Sequence, residues 1–247
     1  MNSDPEKHMG LLDHLEDLRH AILRIIAGVF VASMVGLYFS ESLLQLLMTQ
    51  AGDIRGQFVI LSPTEGFMVQ IKLGILIGIV ISMPWSLYSI WSFLAPGLLE
   101  HERRYFAQSI PVLILLFLLG VSLAWFMALP MGIKFLLGFQ IADVTPQLSI
   151  EKYVSFCSSM FLVFGGAFEL PVLIIVLNKV GLLPLSRLYA LRRHNVVLMF
   201  VLSAVLTPPD VVTQTMLAIP MILLFELTVY WIAWTQGSIH VEDSKVS

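Results

Sequence analysis

The sequence predicts an all-α integral membrane protein in which six transmembrane helices form a single membrane domain over residues 1–247. Apolar residues make up 57% of the chain, charged residues only 13%, and the mean hydropathy is +0.87. Soluble domains of this size carry about twice that share of charges. The apolar residues also fall into separate stretches of the length that a bilayer core requires. This composition excludes a disordered chain and a secreted disulfide scaffold.

Six apolar stretches are the predicted spans, and each is followed by polar or turn-forming residues. A spanning helix needs about 20 apolar residues, and only the fifth stretch is short. Two prolines and an aspartate between the last two stretches favour a reversal of the chain there over one long kinked helix. The first stretch is too long for a cleaved signal peptide. The predicted spans are residues 21–39, 67–94, 105–129, 153–177, 196–208 and 211–234.

The distribution of lysine and arginine predicts cytoplasmic N- and C-termini. Six spans place both termini on one side, and cytoplasmic segments are enriched in basic residues. The chain has 14 basic residues, and ten of them fall on the side of the termini. The four on the opposite side are Arg55, Lys72, Lys134 and Lys152.

Two further predictions concern residues outside the spans. Apolar runs at residues 43–48 and 135–137 suggest short helices that lie on the outer surface or cap the bundle. Residues 235–247 are polar and are expected to form a loose cytoplasmic tail.

The Gly74/Gly78 pair, inside the second predicted span, is expected to pack helices within the chain rather than to form a dimer face.

No residue pattern indicates a catalytic centre, a cofactor or a metal site. Membrane haem requires histidines within the spans, and all six histidines lie outside the spans or at their edges. No phosphate-binding or dinucleotide-binding glycine motif is present. Cys157 is the single cysteine, so no disulfide forms within the chain. A net charge of −3 offers no basic face to nucleic acid. The sequence therefore predicts a protein that is not an enzyme.

Two carboxylates within the spans are candidate functional groups. Glu169 follows Gly165-Gly166 and precedes Pro171 inside the fourth span. An ionisable group at that depth is costly, so it is expected to face a cavity or a partner. A structural hydrogen bond to a neighbouring helix is the alternative. Glu226 in the sixth span has a similar setting.

Acidic residues also lie on the side of the termini. The stretch from Leu11 to Arg19 is amphipathic, and its acids lie away from the face of Leu11, Leu15 and Leu18. Acids near a helix start favour the helix dipole, but an anionic patch for a cationic partner is the second interpretation. A later stretch, residues 93–104, ends in Glu100-His101-Glu102-Arg103-Arg104, where the acids can pair with the arginines.

Taken together, these stretches resemble the TatC family, the multi-spanning receptor subunit of the twin-arginine protein translocase. The resemblance covers about residues 11–235, and six motifs occur in the order of the family. They are residues 14–19 (HLEDLR), 61–65 (LSPTE), 93–104 (FLAPGLLEHERR), 164–171 (FGGAFELP), 206–210 (LTPPD) and 218–226 (AIPMILLFE).

The resemblance implies a glove-shaped bundle with a concave face that receives folded cargo proteins through their twin-arginine signal peptides. The family's two acidic contacts map to Asp17 and Glu102. The family usually has glutamate at the position of Asp17, and Glu16 is the alternative first contact. The chain also lacks a proline near residues 46–48 that the family often has. The remaining residues of the expected signal-peptide site are Arg19, Phe93, Arg103 and Arg104.

The resemblance also implies partners and an energy source. The single-span subunits TatA, TatB or both are expected to dock near Thr207, Asp210, Gln214 and Glu226, while Glu169 lines the concave face. Transport is expected to use the proton motive force without a cofactor, in a bacterial or archaeal cytoplasmic (inner) membrane, with several copies of the chain in the receptor complex. Membrane lipid is a further partner, and nucleic acid is not.

Two other functions compete with this interpretation. A proton-coupled small-solute transporter would use Glu169 as its proton carrier, but it would leave the acidic patch near the termini unexplained. A purely structural membrane subunit would tolerate the loss of Glu102 without an export defect.

Overall fold

The structure is a computed structural model that describes residues 11–52, 58–94, 100–138, 148–179, 181–207 and 211–246. Within these ranges, only the backbone is described for residues 11–14, 94, 100–109, 136–137 and 236–246.

The described chain is almost entirely helical, with two very short strands. Six of its helical stretches are long and apolar enough to cross a membrane, in keeping with the predicted number. The elements in order are α1 Leu11–Gln50, β1 Phe58–Val59, α2 Glu65–Leu94, α3 Glu100–Leu123, a π-helical turn Ala124–Ala128, α4 Leu129–Leu137, β2 Leu148–Ser149, α5 Ile150–Ala167, α6 Leu170–Lys179, α7 Leu185–Leu206 and α8 Val211–Val246.

Successive spans run in opposite directions, so the bundle has two ends. We call the end at which α1 begins and α8 finishes the terminal end. The opposite end, where α1 finishes and α2 begins, is the loop end. The loop end also carries β1 and β2, which pair in parallel and join the two loops that precede α2 and α5.

Helix α1 is longer than the first predicted span. The segment 43–48, expected as a separate surface helix, continues α1 to Gln50. Helix α1 stops where Gly52 adopts the left-handed conformation, with φ of +53°, which glycine accepts without steric cost. The segment 135–137 likewise belongs to α4, which follows the third span through the π-helical turn. Pro130 cannot donate a hydrogen bond to a carbonyl one turn earlier, so the ladder is irregular at that point.

The expected loose tail is also helical. Helix α8 continues from the sixth span to Val246. No proline follows Pro220 in this stretch to stop the helix, which is the local reason for its continuation. The backbone of the predicted tail is thus helical as far as Val246, while its looseness stays a prediction.

The last two spans are separate helices that fold back on each other. Thr207 is extended, with ψ of 159°, and ends α7. The Gln214 amide then donates to the Phe200 carbonyl at 3.1 Å, and Glu226 pairs with Arg192 at 3.1 Å. Both contacts join α7 to α8, and Arg192 and Glu226 are equidistant from the corner, which is the pattern of an antiparallel helical hairpin. The Pro208–Asp210 corner itself lies outside the described residues.

Helices α1 and α2 form a second, tightly packed hairpin. A methyl group added at Gly74 would contact Leu37, and one added at Gly78 would lie 2.7 Å from the Ser33 backbone. Small residues allow helix backbones to approach closely in membranes. The prediction that Gly74 and Gly78 pack helices within the chain is therefore confirmed.

Helix α5 lies at the centre of the apolar core. Val154, Cys157, Met160 and Phe164 have no exposed surface. They pack in one cluster with buried residues of α1, α2, the π-helical turn and α8. The same cluster includes Met199 of α7 and Leu217 and Met221 of α8, so it joins the two hairpins.

Candidate functional site

Asp17 lies on the side of α1 that faces α2. Asp17 is half-buried, whereas Glu16 and Arg19 are exposed. Along the helix, Asp17 shares a stripe with Ala21, Arg24 and Gly28, because residues four, seven and eleven positions apart lie on one face. Ala21 is only 3% exposed, and Gly28 packs against the Trp85 ring of α2. The structure therefore distinguishes Asp17 from its neighbour Glu16.

The apolar face predicted for this segment is not the buried one. Leu15, Leu18 and Ile22 are 59%, 37% and 46% exposed. In a spanning helix, an exposed apolar face suits the surrounding lipid, because lipid tails are as apolar as a protein core. The narrow stripe of small and polar residues packs on α2 instead.

Glu16 makes only a loose contact. Its carboxylate lies 3.9 Å from the His20 imidazole, and both side chains are more than half exposed. Exposed pairs of this kind contribute little to stability. Glu16 is thus available to solvent rather than held toward α2.

Glu102 and Arg103 lie in the first turn of α3, which begins at Glu100, and Arg104 follows directly. Only their backbone is described. Phe93 is half-buried near the end of α2. The two helix ends that carry the predicted signal-peptide residues of this loop therefore both belong to the terminal end of the bundle.

Glu169 lies at a break between α5 and α6. Pro171 cannot donate to the Ala167 carbonyl, and the Glu169 amide bonds instead to the Gly166 carbonyl at 3.1 Å. Both carboxylate oxygens are buried and have no hydrogen-bond partner among the described residues. A buried polar group without a partner is costly, which makes Glu169 a candidate contact for a molecule outside the chain.

An apolar groove lies beside this break. It has a volume of about 450 Å³, and α3, the π-helical turn and α8 form most of its wall. Phe168, the residue before Glu169, contributes to the lining together with Leu119, Ser122, Pro220 and Leu223. The groove can accept an apolar chain or an apolar helix face.

The residues predicted to dock partners do not form one cluster. Thr207 is buried and its hydroxyl donates to the Ser203 carbonyl at 2.8 Å. Gln214 bonds to Phe200 near the same loop end. Glu226 lies twelve residues further along α8, about 18 Å at 1.5 Å per residue. Asp210 lies outside the described residues.

Arg192 is a polar residue whose pairing the sequence interpretation missed. It forms the ion pair with Glu226 and lies over the Tyr189 ring, 4.7 Å from the centroid. Sequence interpretation counted it only as a basic residue on the side of the termini. The sequence did contain an indication of this pair. Arg192 and Glu226 are nearly equidistant from the corner at residues 207–210, so a hairpin places them side by side.

A second group of polar residues that the sequence interpretation missed lies at the loop end. The Glu65 carboxylate is only 2% exposed and accepts hydrogen bonds from the Leu61 amide at 2.5 Å, the Glu151 amide at 3.0 Å and the Ser149 hydroxyl. Lys72 contacts Glu151 at 2.6 Å and donates to Ser155 at 2.8 Å. We call these five residues (Glu65, Lys72, Ser149, Glu151 and Ser155) the loop-end cluster.

The fold and these sites define a multi-pass helical membrane protein whose polar side chains gather at helix ends and hairpin contacts. The sequence model for the Sec-independent protein translocase protein TatC matches residues 13–220. The chain belongs to the TatC family and is therefore a component of the Sec-independent protein translocase.

Relatives and solved structures agree with this assignment. The TatC protein of Carboxydothermus hydrogenoformans is 34% identical over 226 residues, which cover 91% of this chain and 93% of the relative. The TatC protein of Aquifex aeolicus is 35% identical over 90% of this chain and 94% of its own length. A crystal structure described as the twin-arginine translocase receptor TatC in DDM has a TM-score of 0.78 at 35% identity, covering 88% of this chain and 98% of that one.

Proposed function

We propose that this protein binds the twin-arginine signal peptides of folded cargo proteins at its terminal end, and that this end faces the cytoplasm. The observation that carries the proposal is the half-buried Asp17 carboxylate on the α2-facing stripe of α1. The acid expected to act with it, Glu102, is in the first turn of α3 at the same end of the bundle.

Paired arginines are the ligands that such carboxylates recognise best. A guanidinium presents a planar fork that binds a carboxylate through two hydrogen bonds, which a lysine ammonium cannot reproduce. Two consecutive arginines require more than one acid. Asp17 and Glu102 would supply these acids from two different helices. The other residues of the proposed site are Glu16, Arg19, Phe93, Arg103 and Arg104.

The proposal includes the setting in which this recognition leads to transport. The excess of basic residues at the terminal end supports a cytoplasmic orientation in a bacterial or archaeal inner membrane. TatA, TatB or both would dock on the α7–α8 hairpin near Thr207, Asp210 and Gln214, while Glu226 lies further along α8. Several copies of the chain would assemble in the receptor complex, and the proton motive force would drive transport without a cofactor or chemical catalysis.

A peptide-binding measurement on the purified protein tests the proposal. Glu102→Ala is expected to weaken binding of a labelled twin-arginine signal peptide by about 30-fold or more, because one desolvated, charge-assisted pair is lost. Glu100→Ala is the matched control, since it removes the same charge from the same helix turn. A signal peptide with two lysines should bind the unaltered protein weakly. Equal binding by Glu102→Ala and the unaltered protein would contradict the proposal.

Glu169 supports a second candidate function, a proton-coupled small-solute transporter. The supporting observation is that both carboxylate oxygens are buried without a hydrogen-bond partner among the described residues. Under the translocase proposal, a neutral Glu169 donates a hydrogen bond to a docking helix instead.

Two substitutions of Glu169 separate these roles in an export assay. Glu169→Gln keeps the shape and a hydrogen-bond donor, so it should retain most export if docking alone matters. Glu169→Ala should impair export or partner assembly while leaving signal-peptide binding unchanged. If glutamine fails as completely as alanine, ionisation of Glu169 is required and the proton-carrier function is favoured. Normal export by both variants would assign Glu169 to packing.

A further inference from the structure

The terminal halves of α1 and α2 are joined by two hydrogen bonds that both use Arg24. The Arg24 guanidinium donates through Nη1 to the Ser92 hydroxyl oxygen at 3.1 Å. The Trp85 indole N–H donates to the Arg24 carbonyl at 3.0 Å. Side chain and backbone of one α1 residue are thus both bonded to α2.

The groups around Arg24 restrict its geometry. Its Nε donates to the His20 carbonyl one turn earlier, at 3.2 Å. The Ser92 hydroxyl donates to the Ser89 carbonyl at 2.9 Å, which leaves its oxygen lone pairs to accept from Arg24. The Trp85 ring lies so close to Gly28 that an added methyl group would be 2.8 Å from its Nε1. Close packing of Trp85 on Gly28 thus lies beside the two hydrogen bonds between the helices.

This contact lies beside the proposed signal-peptide site. Asp17 precedes Arg24 by seven residues, which places it two turns away on the same face, at about 10 Å along the helix. Ser92 directly precedes Phe93, and α2 ends one residue later. Along the chain, Asp17 therefore precedes Arg24, and Glu102 follows Ser92. The Arg24–Ser92 contact thus connects the two helices that lead to the two acids of the proposed site.

We infer that Arg24 and Ser92 are positioning residues for the signal-peptide site. Their hydrogen bond holds the first turns of α1, with Asp17, at a fixed spacing from the end of α2, the helix that precedes the helix of Glu102 in the chain. Fixing two acids before the peptide arrives lowers the ordering cost of binding. An arginine near the end of a spanning helix is also costly without a partner, so the bond is expected to persist. This inference rests on the proposed function.

Binding of a fluorescent twin-arginine signal peptide to the full-length protein in detergent tests the role of Ser92. Ser92→Ala should raise Kd by about 3- to 10-fold, the range in which residues outside a site modulate it. Ser92→Thr keeps the hydroxyl and should bind like the unaltered protein. Ser159→Ala is the matched control, because the Ser159 hydroxyl likewise donates to a carbonyl three residues earlier, at 2.9 Å, but lies on α5.

A double-mutant cycle between Arg24 and Ser92 shows whether the two residues act through their hydrogen bond or whether Arg24 acts on peptide binding through its charge alone. Positioning through their bond predicts that Arg24→Ala and Ser92→Ala are not additive. The preference for a two-arginine over a two-lysine peptide should also fall in both single variants. A general loss of stability would instead reduce the binding-competent fraction and leave this preference unchanged. Unaltered binding by Ser92→Ala, or additive effects of the two substitutions, would overturn the inference.

The Glu102→Ala variant, measured in the same experiment, keeps the two proposals apart. If Glu102→Ala binds the peptide normally, the proposed function itself is wrong. If Glu102→Ala loses binding while Ser92→Ala retains it, the signal-peptide site stands and only the positioning role of Arg24 and Ser92 is rejected.

Discussion

The two ends of the bundle use their polar side chains in opposite ways. At the loop end, Glu65 is buried and bonded to two backbone amides and a hydroxyl, and Lys72 is held by both Glu151 and Ser155. At the terminal end, Glu16 is exposed and only loosely paired. Glu65 and Lys72 at the loop end are thus committed to the fold, whereas Glu16 at the terminal end makes no close contact of this kind.

The difference follows from what each end must accomplish. The loop end has to hold two long connections, which meet in the short β1–β2 pair. Glu65 joins them, since it bonds both to Leu61 in its own connection and to Ser149 and Glu151 at the start of α5. A surface that binds a peptide instead needs unsatisfied groups held in fixed positions.

The largest expected effect on stability is at the loop end. Glu65→Ala would leave the Ser149 hydroxyl and two backbone amides without their acceptor, and each buried donor that loses its partner costs about 1–3 kcal/mol. Unfolding in detergent should therefore show a marked loss of stability. The folded fraction should still bind signal peptide with unaltered affinity.

Thr64→Ala is the control for Glu65, because Thr64 is adjacent but exposed. It should leave the unfolding transition nearly unchanged. A Glu65→Ala protein that is as stable as the Thr64→Ala protein would show that the loop-end cluster does not carry the stability assigned to it.

The next expected effect is a loss of peptide affinity at Asp17, which is smaller than the loss expected at Glu102. Asp17→Ala should weaken binding by about 10-fold or more through the loss of a charge-assisted pair, without a matching loss of stability. Glu16→Ala should change Kd less than about twofold, because Glu16 is exposed and lies off the α2-facing stripe. Peptide titrations of the two single variants and the double variant measure this difference. A larger effect at Glu16 than at Asp17 would reverse the assignment of the first acid.

The smallest expected effect concerns the ion pair between α7 and α8. The Arg192 and Glu226 side chains are 39% and 42% exposed, so solvent screens their attraction and the coupling should be no more than about 1 kcal/mol. The Lys72–Glu151 pair is similarly exposed but shorter, and its lysine also donates to Ser155. Double-mutant cycles on unfolding should therefore give a larger coupling at the loop end. Equal couplings would weaken the contrast between the two ends.

The sequence was sufficient for the class of protein and the number of spans. Long apolar stretches are a direct consequence of bilayer thickness, and the six ordered motifs led to the TatC family that the comparisons support. It was also sufficient to single out Glu169, because an acid among glycines and apolar residues is conspicuous. The lengths of the helices were less predictable, since helical backbone continues past the hydrophobic stretch in α1 and α8.

Which face of each helix is buried was decided only by the tertiary structure. In water, apolar periodicity identifies the buried face, but lipid accepts the apolar face as readily as a protein core does. Leu15 and Leu18 of α1 are therefore exposed, whereas Ala21 is buried and Gly28 lies against Trp85 of α2. Arg24, Glu65 and Arg192 likewise bond to residues that are 34 to 86 positions away in the sequence. Helix packing brings these partners close. Local sequence determined that these polar groups lie near helix ends, and close packing determined which of them are bonded and which remain available.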